Sequence, residues 1–441
     1  MGSEWNEYRL GNIAIFAYGK MPQKHLLGSG DYVTYSGYKY LEPYPEMNAA
    51  SGDLIVVARG VGGTGDVKLV IRDCYLTNLS IKISLDASYL LNEYFYYMFK
   101  SSNLRYLDSG SAQSQITIAD LSNINLKIPN TDYQQLVINQ LKPIDGKITL
   151  NRQINRTLEQ MAQTLFKSWF VDFDPVIDNA LDAGFFEQNL AFSEELLRRV
   201  ESRKEVRESD NFKPLSEDIR QLFPNAFEEC AEPALGLGGW LPKGWNNGCI
   251  SDVAHYRTKR INTSELTLTN YISTENMLVD RKGIQQATAL PTVNSVPAYT
   301  SGTILISNIR PYFKKIWLAK GDGGYSNDVL GFEVKDLGTE EYLFNLMYQD
   351  SFFDFMMATS KGSKMPRGDK KAILGLGLVV PPLKLRKLFS KDVNDFYTSS
   401  NTRNDENLIL GQLRDTLLPK LISGELSLSD IKIDIPEETL I

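Results

Sequence analysis

From residue 141 onward, one face of the chain recurs at steps of three and four. Positions 141, 144, 148, 151, 155, 158, 162, 165 and 169 read Leu, Ile, Ile, Asn, Asn, Leu, Ala, Leu and Trp. This spacing predicts a long helix with an apolar seam and a polar middle. The same spacing returns 252 positions later, as Val393, Phe396, Ser400, Arg403, Asn407, Leu410, Arg414, Leu417 and Leu421. Two such seams predict helices that pair as a coiled coil, since heptad repeats bury their seam against one another. Asn155 and Asn407 fall at matching seam positions, where a buried Asn can set register at some cost in stability. Pro143 and Gly146 predict a kink or a late start in the first helix.

Shorter patterns ahead of each helix are also written twice. SGDLIVVARG (51–60) corresponds to SGTILISNIRP (301–311), each an apolar strand running into an Arg-bearing turn. TNLSIKIS (77–84) matches SNDVLGFE (326–333), and the aromatic helix NEYFYYMF (92–99) matches EEYLFNLM (340–347). The Gly-Ser loops LDSGSAQSQI (107–116) and TSKGSKMPRG (359–368) correspond, as do the strands LKIP (126–129) and LVVP (378–381). Even the starts agree: Trp5, Leu10, Ile13 and Ala14 correspond to Trp245, Ile250, Val253 and Ala254. Short strands, Gly-rich turns and a helix in each copy give an α+β class: two pseudo-repeated globular units separated by two long helical regions. Antiparallel pairing of the helices predicts a rod of ~30 residues at ~1.5 Å each, ~45 Å. That exceeds one turn of B-DNA, ~34–36 Å. The expected boundaries are 1–132, 133–232, 233–382 and 383–441.

The loop RGVGGTGDVK (59–68) follows an apolar strand and raises the question of a phosphate cradle. A P-loop needs G-x-x-x-x-G-K-[ST], and here Asp66 stands where the lysine would be. Its counterpart, IRPYFKKI, has no glycine at all, so the pair reads as variable turns on a common scaffold. Three cysteines far apart (Cys74, Cys230, Cys249) and two histidines offer little for a zinc site or a His-based triad. There is no run of 18 apolar residues and no basic-then-apolar leader, so no membrane span or secretory signal is expected, and a cytoplasmic location fits.

Net charge is −7, but it is uneven. Residues 171–232 hold 16 acidic and 7 basic side chains, whereas residues 233–382 hold 16 basic and 13 acidic. The stretch 198–211 reads as a solvated charge run, and FPNAFEECAEPALGLGGWLPKGW reads as a linker wrapping into the second unit. In the second unit, Arg310, Lys314, Lys315, Lys361, Lys364, Arg367 and Lys370 cluster in two matched loops, interleaved with Tyr312, Phe313 and Trp317. Basic loops neutralise phosphates, and arginine can read guanine bidentately. The matching loops of the first unit carry Arg59, Lys68, Gln113 and Gln115, and glutamine can pair with adenine. These eleven residues are the candidate contacts to double-stranded DNA.

TLFKSWFVDFDP (164–175), GWLPKGW (239–245), SNIRPYFKKIW (307–317), GSKMPRGDKKAI (362–373) and LRDTLLPKLISGEL (413–426), together with the repeat layout, resemble the DNA-specificity subunit of type I restriction–modification systems. The resemblance spans essentially the whole chain. It implies two target-recognition domains, each reading half of a bipartite site, on helical regions that dock two methyltransferase subunits using S-adenosylmethionine. Two motor–nuclease subunits, dependent on ATP and Mg, can join them. It also implies no catalysis and no cofactor in this chain. The residues agree, with neither a [DNS]-P-P-[FYW] motif nor a Walker A sequence. The apolar helix ends nominate Trp169, Phe170, Phe173, Leu417, Leu418 and Leu421 as anchors for the methyltransferase, with core packing as the alternative. Two other readings of the whole chain remain: a coiled-coil scaffold without sequence readout, and a nucleotide-dependent enzyme built on the glycine loop.

Overall fold

A computed structural model describes residues 5–426 apart from 38, 61, 62, 101, 109–113, 233 and 363. The chain divides into two compact units, residues 1–152 with 403–441, and residues 153–402.

In the first unit, Trp5–Arg9 pairs with Asn125–Pro129 and closes the globular part. A four-stranded antiparallel sheet runs in the order Ala14–Tyr18, Ser80–Leu85, Leu54–Val57, Val67–Leu69. A three-stranded sheet of Lys39–Tyr44, Tyr32–Ser36 and Cys74–Leu76 is interleaved with it in sequence, its last pair parallel. VKLVIRDCYLT, which the apolar run suggests is one strand, is therefore two strands in two different sheets. A break at Ile71–Asp73 separates them, with Ile71 76% exposed. The helix Asn92–Phe99 buries Tyr94, Phe95, Tyr97 and Phe99 against the first sheet's core.

The second unit repeats this topology. Asn246–Cys249 pairs with Gly377–Val380. The four-stranded sheet runs Ala254–Tyr256, Val329–Val334, Ile304–Ser307, Ile316–Leu318, position for position the order of the first. Arg260–Asn262, Ser295–Tyr299, Gly323–Tyr325 and Tyr271–Ile272 form the second sheet, again with one parallel pair. The aromatic helix is Glu340–Tyr348.

The first long helix runs Thr131–Phe170 without interruption, and the second runs Leu383–Ser423. Pro143 and Gly146 neither delay nor break the first, contrary to expectation. Pro143 is exposed, and the helix on either side is held by Leu141 and Ile148, both buried. Burial of that seam outweighs the loss of one backbone hydrogen bond. Within each unit the helices run antiparallel. In the first, Asn151 Nδ2 donates to Glu406 Oε2 at 2.7 Å and to Asn407 Oδ1 at 3.0 Å. In the second, Asn155 Nδ2 donates to the Ser400 carbonyl at 3.1 Å. Asn407 thus faces Asn151 rather than Asn155, because antiparallel seams bring unlike heptad positions together.

Trp169, Phe170 and Phe173 are core residues, 2%, 7% and 1% exposed. Trp169 packs edge-on to Phe223 and Phe389, and Phe173 packs on Trp245. Leu418 and Leu421 are buried in the first unit's core, with Leu417 half-buried against it. Five of these six side chains therefore take the core-packing alternative: aromatic and leucine side chains at a helix end are drawn into whichever apolar core lies beside them. The stretch 223–245 packs into the second unit. Phe223, Phe227, Leu237, Trp240 and Trp245 all belong to the second unit's core. Nor is 198–211 simply solvated. Asp174, Asp178 and Asp182 recur every turn of the helix Asp174–Asp182, and Arg199, Arg203 and Arg207 recur every turn of Glu194–Arg207. They pair in order, Arg203 with Asp178 at 2.7 Å, and Arg220 joins at Asp182. The acidic excess of this region is partly neutralised by a ladder of ion pairs.

Candidate nucleic-acid interface

Each four-stranded sheet delivers its central strand to a loop, and each loop meets a second loop from much later in the chain. In the first unit, Leu54–Val57 leads to Ala58, Arg59 and Gly60. Gly60 and Gly65 take positive φ, 135° and 91°. At Gly65 a side chain is also excluded by space, since a Cβ would lie 2.5 Å from the Arg105 backbone nitrogen. The Gly65 N–H donates to the Val57 carbonyl at 2.9 Å, closing the hairpin that the spacing predicts. The second loop arrives through Ile116, whose N–H donates to the Ala58 carbonyl at 2.9 Å, and through a bridge between Arg59 and Gln115. Asp108 holds that loop by accepting from the Gln115 N–H at 2.9 Å.

The second unit builds the same junction. Ile304–Ser307 leads to Asn308, Ile309 and Arg310, and the Gly368 N–H donates to the Asn308 carbonyl at 3.3 Å. Ile309 bridges Arg367, and the Arg310 N–H donates to the Pro366 carbonyl at 2.8 Å. A tight turn at Pro311–Phe313 is flanked by Arg310 and Lys314, both in left-handed conformation, φ 50° and 49°. These two occupy the places that Gly60 and Gly65 hold in the first unit. All four positions take positive φ; glycine adopts it freely, whereas an L-residue pays ~1–2 kcal/mol in the left-handed region.

The candidate cations differ in how free they are. Arg59, Arg310, Lys364 and Lys370 are exposed. Lys68 is half-buried, its Nζ 5.7 Å from the centre of the Tyr35 ring, and so points away from the loop tip. Lys314 is bound to Asp350 at 2.6 Å. Lys315 donates to the Thr274 carbonyl at 2.6 Å and is half-buried, and burial lowers its pKa. It is turned inward, which corrects its placement among the outward-facing charges. Lys361 pairs with Asp369 at 2.6 Å, and Arg367 with Asp328 at 3.1 Å, both at exposed positions where solvent weakens the pairing. Gln115 is half-exposed beside Arg59. Gln113 lies outside the described residues.

Several residues of this surface have no signal in the sequence. Arg281 stacks on Tyr348 and Phe353, 4.8 Å and 5.3 Å from the ring centres, and pairs with Asp350. Its backbone N–H donates to the Lys314 carbonyl, and that of Asp280 to the Phe313 carbonyl, both at 2.9 Å. The basic turn is thus braced from a distant segment rather than projecting freely. Lys314 and Arg281 together hold the Asp350 carboxyl well down, to about 2. Asp369 is likewise brought to about 2, by Lys361 and by the N–H groups of Ala372 and Lys371, whose helix it caps. Both acids are charged at neutral pH, so they trim the positive field of the loops without cancelling it. Among the described residues no group of three or more His, Cys, Asp or Glu could hold a metal ion, and no helix is long and apolar enough to cross a membrane.

Residues 2–160 match the type I restriction modification DNA specificity domain. Residues 2–160 thus carry a DNA specificity domain of the type I restriction–modification kind, and the chain as a whole is similar to specificity subunits of those systems. Its role is DNA sequence recognition. It is 24% identical to the type I restriction enzyme HindI specificity subunit of Haemophilus influenzae, over 96% of this chain and 100% of that one. It is 20% identical to the MjaIX specificity subunit of Methanocaldococcus jannaschii, over 82% and 75%. Its fold is similar to the crystal structure of the type I system S subunit from M. genitalium, with a TM-score of 0.58, 16% identity and coverage of 95% and 96%.

Proposed function

We propose that each two-loop junction reads one half of a bipartite double-stranded DNA site, and that the paired helices set the spacing between the halves. The observation that carries this is the duplicated junction itself: matched strands, matched N–H to carbonyl ties, and unlike side chains at matched positions. The chain performs no chemistry in this reading. Methyltransferase subunits, two per complex, bring S-adenosylmethionine and flip the target adenine, and motor–nuclease subunits bring ATP and Mg. With Trp169 and its neighbours buried, docking falls to exposed apolar side chains on the helices. Leu150, Leu408, Ile409 and Leu413 are 50%, 67%, 66% and 46% exposed, all on the helical part of the first unit. An exposed apolar patch of this kind on an otherwise polar helix marks an interface.

The test is a map of methylated adenines in a host lacking adenine methylation, with this chain and its methyltransferase co-expressed. A split motif of two short halves supports the reading. Replacing residues 1–132 by the matching part of another specificity subunit should change one half alone. Co-purifying proteins that leave the genome unmethylated refute it.

A further inference from the structure

We infer that Arg310 is a base-reading side chain of the second unit, specific for guanine in its half-site. This rests on the DNA-reading role proposed above and assigns it to one residue. Three observations meet at this position. First, the chain takes positive φ at this position in both units: the first unit has Gly60 there, φ 135°, with no side chain to strain, and the second carries Arg310 in left-handed conformation, φ 50°. A disfavoured conformation kept at a binding surface points to use of the side chain. Second, the Arg310 side chain is exposed and has no hydrogen bond or ion pair among the described residues, while Lys314, at the other end of the same turn, is held by Asp350. Third, the position two residues earlier has changed in the same sense. Ala58 of the first unit corresponds to Asn308, which is 8% exposed and whose Oδ1 has no partner.

At both matched positions, a group without hydrogen-bonding capacity in one unit has become a hydrogen-bonding one in the other. A phosphate contact does not require this. Phosphates are the same in every site, and the exposed Lys364 on the adjoining loop supplies positive charge for them. A base contact does require it, because the two halves differ. Arginine held at its Cα by the Pro366 tie, with a planar fork of donors, suits the O6 and N7 acceptors of guanine.

The experiment compares Arg310→Gly, Arg310→Lys and the parent chain, each co-expressed with its methyltransferase in a host lacking adenine methylation, with adenine methylation mapped genome-wide. Thermal melting of each purified chain is measured alongside. Arg310→Gly should melt no lower than the parent, since glycine fits the backbone. It should nevertheless lose discrimination at one guanine position of one half-site, by roughly tenfold to a hundredfold. Arg310→Lys keeps the charge but not the bidentate fork, and should relax the same position. An unchanged motif in both variants, whether methylation is uniformly weaker or intact, overturns the assignment, as does a half-site without guanine. A parent chain that gives no split motif overturns the underlying DNA-reading role instead, and the assignment with it.

Discussion

Asp145 is where the helix Asn92–Phe99 of the first globular part is fastened to both long helices, and replacing it by asparagine should loosen that joint. Its carboxylate accepts from Arg414 Nη1 at 2.9 Å and from the Tyr97 hydroxyl at 3.0 Å, and it also binds Lys100. Side-chain exposures of 22%, 17% and 19% for Asp145, Lys100 and Arg414 place the cluster mostly out of water. Removing one member of a fully buried pair costs about 3–5 kcal/mol, and partial access of solvent brings this to about 2–3 kcal/mol. Burial works against the charge of Asp145, but the hydrogen bonds from Lys100 and Arg414, the charge of Lys100 and the bond from Tyr97 outweigh it, and the carboxyl sits below its ordinary value of 3.8. A lowered carboxyl stabilises the fold above its unfolded value and loses that contribution as pH falls through its folded value. The gap between the parent and Asp145→Asn should therefore be full at pH 7 and close as the pH drops below 3.8. Urea denaturation across this range gives the gap. Hydrogen exchange locates it, with faster exchange expected at 92–99 and around 145 and none added in residues 153–402. A gap that is absent at pH 7, or constant down to pH 3, refutes the reasoning.

Trp169→Ala should cost about 3–5 kcal/mol by opening a cavity among Phe170, Phe223 and Phe389; a variant that unfolds like the parent in denaturant, yet fails to assemble, would return Trp169 to the interface. Ile409→Glu should leave thermal melting within a degree or two of the parent while weakening co-purification with the methyltransferase, because its side chain is 66% exposed; undiminished co-purification removes it from the dock. Arg203→Ala should destabilise the second unit by about 1–3 kcal/mol, since it strips two hydrogen bonds from Asp178, whose side chain is 15% exposed; equilibrium unfolding measures this, and a neutral effect would mean the ladder is redundant. Lys364→Ala should weaken binding to all DNA sequences alike and reduce the salt slope by about 1, read from titrations at several salt concentrations; an unchanged slope takes Lys364 out of the phosphate contacts.

Much of the architecture is legible in local pattern, because burial selects residue types at fixed periods. The three-and-four spacing marks Leu141, Ile148, Asn151, Ala162 and Trp169, which are all buried in the first long helix, although Val137, Ile138, Phe166 and Phe170 are buried there too and are not among the marked positions. The repeated Ser-Gly strands at 54–57 and 304–307 become equivalent strands of equivalent sheets, since like patterns satisfy the same core in the same way. What a period cannot specify is the partner. Asn151 rather than Asn155 faces Asn407, because that depends on the direction in which two seams meet. Trp169 looks the same whether it greets another subunit or its own Phe389, and only the packing of 171–245 around it decides. A lysine in a loop carries the same charge whether it is free, like Lys364, or bound to an acid from elsewhere, like Lys314 with Asp350. Periodicity and residue type thus determined the elements, their duplication and the faces they bury. Tertiary structure decided which side chains remain available to DNA and to partners, because availability is set by contacts between residues far apart in the chain.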